Sequence, residues 1–249
     1  MIEQPISFPL PKPWTDEIFT IDRFGAISFL VGPNGSGKSR FAESLKGNLP
    51  NARLLGTDRL EGTGRGGFVQ VFGDRFQAGY QRNQFDAFKN AGTYGSGIDT
   101  FMILEERPDI RIIIEATLST LFNRDISLEW DSGNLVPKAL LARTGDSYRV
   151  DRDECHGIRE LLVLLTHLYN DSNSYLIIDE PELNLHPQYQ SFFMQEARKV
   201  AGPPEAGTRK KGIFLITHSP FIIDLRSMDD LRSVFCFSSD HAVPRFIFP

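Results

Sequence analysis

The eight residues GPNGSGKS, at positions 32–39, constrain this chain more than any other stretch. They follow an apolar run, Ala26 to Val31, and precede a segment that can begin a helix. The spacing is G-x-x-x-x-G-K-[ST], with Gly32, Gly37, Lys38 and Ser39 in the defining places. Glycines at 32, 35 and 37 tolerate backbone angles that other residues resist, so successive N–H groups can curl around phosphate oxygens. A helix starting near Lys38 aims its positive end at the same anion. Lys38 can then reach the outer phosphates, and the Ser39 hydroxyl can bind Mg2+. Strand before, helix after and the Lys-Ser pair together predict a nucleoside triphosphate site. Pro33, Asn34, Gly35, Ser36, Gly37, Lys38, Ser39 and Arg40 are the residues that would line it.

Two other apolar strands end in groups suited to the same chemistry. Tyr175 to Ile178 runs into Asp179 and Glu180. A strand end beside the phosphate loop is where an α/β sheet places ligand chemistry. Asp179 would hold Mg2+, directly or through water, and Glu180 would orient or deprotonate the attacking water. Leu215-Ile216-Thr217 runs into His218, placed to hydrogen-bond the transferring phosphoryl group or that water. An acidic turn or a lone histidine says little by itself; three strands of one pattern, each ending in such a group, say more.

A site of this kind needs a full α/β core, and the composition allows one. The 249 residues are 41% apolar and 24% charged, as in an ordinary globular protein. A net charge of −5 does not describe a protein coated for nucleic acid, although it leaves room for a local basic patch. Two cysteines, Cys155 and Cys236, are too few for a disulfide framework and fit a reducing, cytoplasmic setting. No apolar run is long enough to span a bilayer, and the N-terminus lacks the pattern of a signal peptide.

In chain order, a proline-rich start leads to a short β segment, Glu17 to Asp22, expected as an edge strand or arm. The Ile27–Val31 strand, the phosphate loop, a helix with Phe41, Ala42 and Leu45 on one face, and a strand at Ala52–Leu55 follow. Phe68, Phe72, Phe76 and Tyr80 recur at helical spacing among arginines; a packed amphipathic segment and a nucleic-acid surface are the two readings. Residues 109–122 are predicted helical, and 126–150 are predicted as a small antiparallel insertion. A helix from Gly157 carries Ile158, Leu161, Leu162, Leu165, Leu168 and Tyr169 on one face. A strand at 175–178, a helix from Pro187 with Tyr189, Phe193 and Val200 inward, a strand at 213–217 and two short β runs after Ser233 complete the chain. Strands alternating with helices predict an α/β fold with a mostly parallel central sheet, helices on both faces and an antiparallel β part.

GPNGSGKS, LIIDEPELNLHP (176–187) and LITHSP (215–220), in that order, resemble the ATP-binding-cassette ATPases. The E-x-x-L-H-P form after the Asp-Glu pair most resembles the branch that includes SMC, RecF and OLD-like proteins. The resemblance covers nearly the whole chain. It implies a P-loop NTPase domain over 1–249, with a core lobe at 17–60 and 171–249 and an inserted arm and signature lobe at about 61–170. It implies ATP and Mg2+ as cofactors. Lys38, Ser39, Asp179, Glu180 and His218 match the family's nucleotide-site positions, with Ser39 and Asp179 on the metal.

The resemblance also implies two heads sandwiching two ATP molecules, so that a homodimer or ATPase–ATPase pair forms through nucleotide. Leu185 and His186 match the D-loop that touches the opposite head. Glu154-Cys155-His156-Gly157-Ile158 matches the signature segment that completes the opposite site, with Cys155 and Gly157 as nucleotide contacts. Cys155 stands where the family usually has serine. No glutamine follows the 52–55 strand directly; Asp58, Arg59 and the later Gln70, Gln77 and Gln81 are the alternatives for the family's Q-loop. Residues 40–153 lack sustained heptads, and no second carboxylate cluster suggests a nuclease site. The expectation is an ATPase head that switches a separate effector, a nuclease or other protein, with DNA as a further partner, in DNA maintenance or antiphage defence. A non-hydrolysing ATP-bound scaffold is the alternative. A transporter ATPase is a third reading, against which the E-x-x-L-H-P form stands.

Overall fold

In the computed structural model, residues 1–14, 17–60, 100, 103–104, 106–131, 134–140, 145–149, 156–226, 228–240 and 242–246 are described. Their elements run β1 (Ile6–Pro9), β2 (Ile18–Ile21), β3 (Ile27–Val31), α1 (Lys38–Asn48), β4 (Ala52–Leu55), α2 (Pro108–Phe122), β5 (Asp125–Asp131), β6 (Asn134–Leu140), β7 (Ser147–Arg149), α3 (His156–Tyr169), β8 (Tyr175–Asp179), α4 (Pro187–Val200), β9 (Gly212–Ile216), α5 (Met228–Leu231), β10 (Val234–Cys236) and β11 (Arg245–Phe246). Two units emerge: residues 1–57 with 168–249, and residues 58–167.

The first unit is built on a six-stranded sheet in the order β11-β10-β3-β9-β8-β4. β10, β3, β9, β8 and β4 are parallel to their neighbours, and β11 pairs antiparallel at the edge. Parallel pairing explains the continuous apolar runs, because such strands are covered on both faces. Leu30, Ile177, Phe214, Ile216 and Phe235 join one core cluster; the alternating residues Phe29, Leu176, Ile178, Ile213 and Leu215 are also buried. β3, β9 and β8 lie side by side in register, Leu30 beside Ile216 and Ile216 beside Asp179. Their C-terminal ends therefore open on one edge.

α1 is set against this sheet by Phe41, Ala42 and Leu45, all buried, at the spacing expected. The N-terminal segment corrects the expectation of an edge strand or arm: β1 and β2 pair with each other as a separate antiparallel sheet. The reason lies in their alternation. Ile6 and Phe8 of β1, and Phe19 and Ile21 of β2, point inward and join Phe41 and Leu45 in the core. Phe8 meets Phe19 and Phe41 at ring-centroid distances of 5.4 and 5.5 Å. The hairpin is thus a cover for α1.

α4 begins at Pro187, where a missing N–H costs nothing, and the His186 imidazole accepts from the Gln188 N–H at 3.3 Å. Its buried residues are Gln190, Phe193, Met194, Glu196, Ala197 and Val200. Tyr189 is half-buried, turned edge-on to His186, and does not belong to that inner face.

In the second unit, α2 buries Ile110, Ile114 and Leu118 along one stripe, and β5-β6-β7 form an antiparallel meander. Most of α3 belongs here. It does not carry the single apolar face its periodicity predicts: every residue from Glu160 to Tyr169 is buried. Such a helix must satisfy its polar groups internally. Glu160 pairs with the fully buried Arg59, the Thr166 hydroxyl donates to the Leu162 carbonyl at 2.7 Å, and Thr100 and His167 share a hydrogen bond. Arg59, one of the Q-loop alternatives, is thus committed to an ion pair, while Asp58 is exposed.

The other Q-loop alternatives, Gln70, Gln77 and Gln81, lie outside the described residues, as does the aromatic stretch Phe68–Tyr80. Among the described residues, no helix is long and apolar enough to cross a membrane.

Candidate functional site

The three strand ends predicted from sequence meet on one edge of the sheet. β3 runs into the phosphate loop, β9 into Thr217 and His218, and β8 ends at Asp179, followed by Glu180. The Ser39 hydroxyl, in the first turn of α1, donates to Asp179 Oδ2 at 2.7 Å, across 140 residues of sequence. Two oxygens of the kind a hard divalent cation prefers therefore lie within hydrogen-bond distance of each other.

Within the loop, Gly35 and Gly37 have φ of 77° and 91°. Gly37 caps α1, and a Cβ there would lie 2.5 Å from the Trp14 ring. Lys38 is buried, and its ammonium donates to the carbonyls of Gly32 and Pro33, each at 2.9 Å. Burial holds that ammonium below the ordinary lysine range, with the carboxylates of Asp179 and Glu180 pulling the other way. The Ser36 hydroxyl is buried without a hydrogen-bond partner. Pro33, Asn34 and Gly35 form the exposed tip. Arg40 turns aside to the Lys12 carbonyl, at 3.3 Å.

Glu180 is half-buried and adopts φ 48°, a left-handed conformation uncommon for a residue with a Cβ. The turn imposes it: the Glu180 N–H donates to the Ile216 carbonyl at 2.9 Å, and the Leu183 N–H donates to the Glu180 carbonyl at 3.0 Å. Strain of this sort persists where surrounding bonds over-determine it. His218 is exposed. Leu185 is buried and His186 exposed at the head of α4. Gly157 is buried in the first turn of α3, in the second unit; Cys155 lies outside the described residues.

The family model for the AAA ATPase domain matches residues 74–223, more than half of the chain. The chain belongs to the AAA ATPase domain family. The matched range holds Asp179, Glu180 and His218 of this ATPase domain and begins after its phosphate loop. Among solved structures it is similar to an SMC head crystallised with the C-terminal winged-helix domain of ScpA, at 11% identity and a TM-score of 0.58, with 99% of this chain and 98% of that chain covered. It is also similar to the SMC head domain from Thermotoga maritima, at 14% identity and a TM-score of 0.51, covering 95% of this chain and 94% of that one. No curated protein matches it. The fold is therefore that of an SMC-like P-loop NTPase head, and nucleotide binding goes with the family.

Sequence reasoning gave no site role to three residues around the ATPase domain's site. Trp14, in the segment between β1 and β2, packs against Gly37. Glu182 accepts from Thr217 and from the His218 N–H, and Gln190 accepts from the Ser219 hydroxyl. Glu182 stands in the quoted string LIIDEPELNLHP, two residues after Glu180, so its place was visible although its partners were not. Gln190 shows only as a polar residue on an inward helix stripe.

Proposed function

We propose that this chain binds ATP with Mg2+ at the phosphate loop and hydrolyses the γ-phosphate, and that two such heads closing over nucleotide switch a separate effector. The observation that carries the reading is the 2.7 Å contact between Ser39 Oγ and Asp179 Oδ2. These two oxygens, from loops on different strands, would hold Mg2+. When bound, the ion would neutralise charge on the β- and γ-phosphate oxygens. Lys38 would exchange its two loop carbonyls for phosphate oxygens, and the loop from Pro33 to Arg40 would surround them.

Glu180 would take a proton from the attacking water as its oxygen bonds to the γ-phosphorus and the bond to the bridging oxygen breaks, releasing ADP and phosphate. His218 would donate a hydrogen bond to the transferring group or to that water. The N-terminus of α3, with Cys155 and Gly157, would close over the nucleotide of the opposite head, and Leu185 and His186 would face it. In this reading 1–249 is one ATPase domain with an inserted signature lobe.

An effector outside the chain, a nuclease or another protein, is supported by the relative whose SMC head is bound to a winged-helix domain. DNA maintenance or antiphage defence in the cytoplasm, with DNA as a further ligand, is the setting this reading gives it.

Glu180→Gln tests the assignment: turnover should be abolished and an ATP-bound dimer trapped. Hydrolysis at the wild-type rate would remove Glu180 as the base. Phosphate release by the wild-type protein at several concentrations tests the pairing, because a composite site gives turnover per head that rises with concentration and a self-sufficient site does not.

A further inference from the structure

β9 ends at Ile216, and the donors just beyond it leave the sheet one by one. The Thr217 N–H still reaches the Leu30 carbonyl, at 3.3 Å. The His218 N–H instead donates to Glu182 Oε1 at 2.8 Å, and the Thr217 hydroxyl donates to Glu182 Oε2 at 2.9 Å. One carboxylate, 36 residues earlier in sequence than His218, thus takes two donors from consecutive residues with its two oxygens. Such charge-assisted, two-point contacts fix orientation as well as distance. The Thr217 hydroxyl also accepts from the Ser219 N–H at 3.0 Å, and Thr217 is buried.

A second tie lies beside the first. The Ser219 hydroxyl donates to Gln190 Oε1 at 2.5 Å, and the Gln190 amide donates to the Leu185 carbonyl at 2.8 Å. The segment holding Glu182 is itself a closed turn. The Glu180 N–H bonds the Ile216 carbonyl, the Leu183 N–H bonds the Glu180 carbonyl, and the Leu185 N–H bonds the Glu182 carbonyl. Glu180 and Asn184 in that turn both have positive φ, 48° and 61°. The loop after β9 and the turn after β8 are therefore one bonded frame, with Glu182 as its most direct link.

We propose that Glu182 is a positioning residue for hydrolysis: its carboxylate locks the His218 backbone to the turn that carries Glu180. The groups assigned to the attacking water and to the γ-phosphate are thereby held in one frame. This rests on the ATPase reading above. A carboxylate suits the task because it offers two acceptors and no donor. A glutamine can accept from the His218 N–H with its carbonyl oxygen, but must turn its NH2 toward the Thr217 hydroxyl.

The test compares ATP hydrolysis by wild type, Glu182→Ala, Glu182→Gln, His218→Ala and the Glu182→Ala/His218→Ala pair. Nucleotide affinity and hydrogen exchange at the His218 amide are measured alongside. Glu182→Ala should lower kcat roughly 10- to 100-fold, the range that a misplaced reacting group costs, with ATP affinity held within about 2-fold. Glu182→Gln should lose less, and the His218 amide should exchange faster in Glu182→Ala. In the His218→Ala background, adding Glu182→Ala should cost less than about 2-fold more, because a residue acting through His218 has nothing left to position.

Multiplied losses in the double variant would overturn the proposal, as would an affinity that falls with kcat, or a faster-exchanging amide with unchanged kcat. If His218→Ala is slow and Glu182→Ala runs at the wild-type rate, the proposal falls and the ATPase reading stands. If His218→Ala itself runs at the wild-type rate, the role of His218 falls and takes the proposal with it. Should Glu182→Ala not fold, the near-isosteric Glu182→Gln carries the comparison: its kcat loss, with affinity unchanged, should vanish in the His218→Ala background, and persistence there overturns the proposal.

Discussion

Replacing Gly37 by alanine tests how the phosphate loop is braced. Gly37 has φ 91° and ψ 7°, and a Cβ there would come within 2.5 Å of the Trp14 ring edge. Two costs follow. The left-handed backbone costs an L-residue about 1–2 kcal/mol. The ring is not free to retreat: its N–H donates to the Ala242 carbonyl at 3.1 Å, and it meets Phe41 and Phe237 edge-on at 6.5 and 6.0 Å. Overpacking against a pinned ring adds about 1–3 kcal/mol. Gly37→Ala should therefore destabilise the protein by about 2–5 kcal/mol, a large part of an ordinary domain's stability. Urea unfolding followed by circular dichroism would show it as a fall in midpoint at unchanged slope. In a Trp14→Leu background the packing cost is relieved, and the same substitution should cost only about 1–2 kcal/mol. An effect below about 0.5 kcal/mol in the wild type, or an equal cost in both backgrounds, would refute the reasoning.

Two further expectations follow. Lys38→Ala removes the ammonium that bridges the Gly32 and Pro33 carbonyls and should abolish nucleotide binding by equilibrium titration; undiminished affinity would end the phosphate-loop assignment. Lys211 is buried, with its ammonium on the Asn170 carbonyl at 2.6 Å, and burial pushes its pKa from 10.5 down to about 8. The unfolded chain then holds more protons between those two values, so stability gained from this group rises with pH across that window; below about pH 8 the penalty, on the order of 3 kcal/mol at most, is present in full. Lys211→Met should flatten the stability curve between pH 8 and 10.5 relative to wild type, and identical slopes would count against the buried ammonium.

Much of the fold was legible because its signals are local. An apolar run bounded by glycines at 27–32, another bounded by acids at 175–180, and helical spacing in α1 and α2 depend on residues a few places apart. The β5-β6-β7 meander falls where the sequence predicts a small antiparallel insertion, at 126–150. Misreadings arose where burial overrode period. From Glu160 to Tyr169 α3 is buried throughout, so its polar positions Glu160, Thr166 and His167 could not mark an outer face. The proline-rich start reads as an arm, yet the alternation Ile6, Phe8, Phe19, Ile21 is enough to seal α1. Tyr189 follows the helical stripe by spacing, but its ring leans on His186 instead.

The candidate site divides in the same way. Sequence alone set which groups stand at the strand ends: Lys38 and Ser39 after one strand, Asp179 and Glu180 after a second, His218 after a third, because each group is covalently tied to the strand that presents it. Tertiary structure decided that these ends meet. Parallel pairing in the order β3-β9-β8 points all three C-termini the same way, and register sets Leu30, Ile216 and Asp179 in line. It also decided the contacts around them, the hydrogen bonds of Ser39 to Asp179 and of His218 to Glu182 and the packing of Trp14 against Gly37. Such pairings join residues far apart in the chain, and no local period encodes which distant partner a side chain will find.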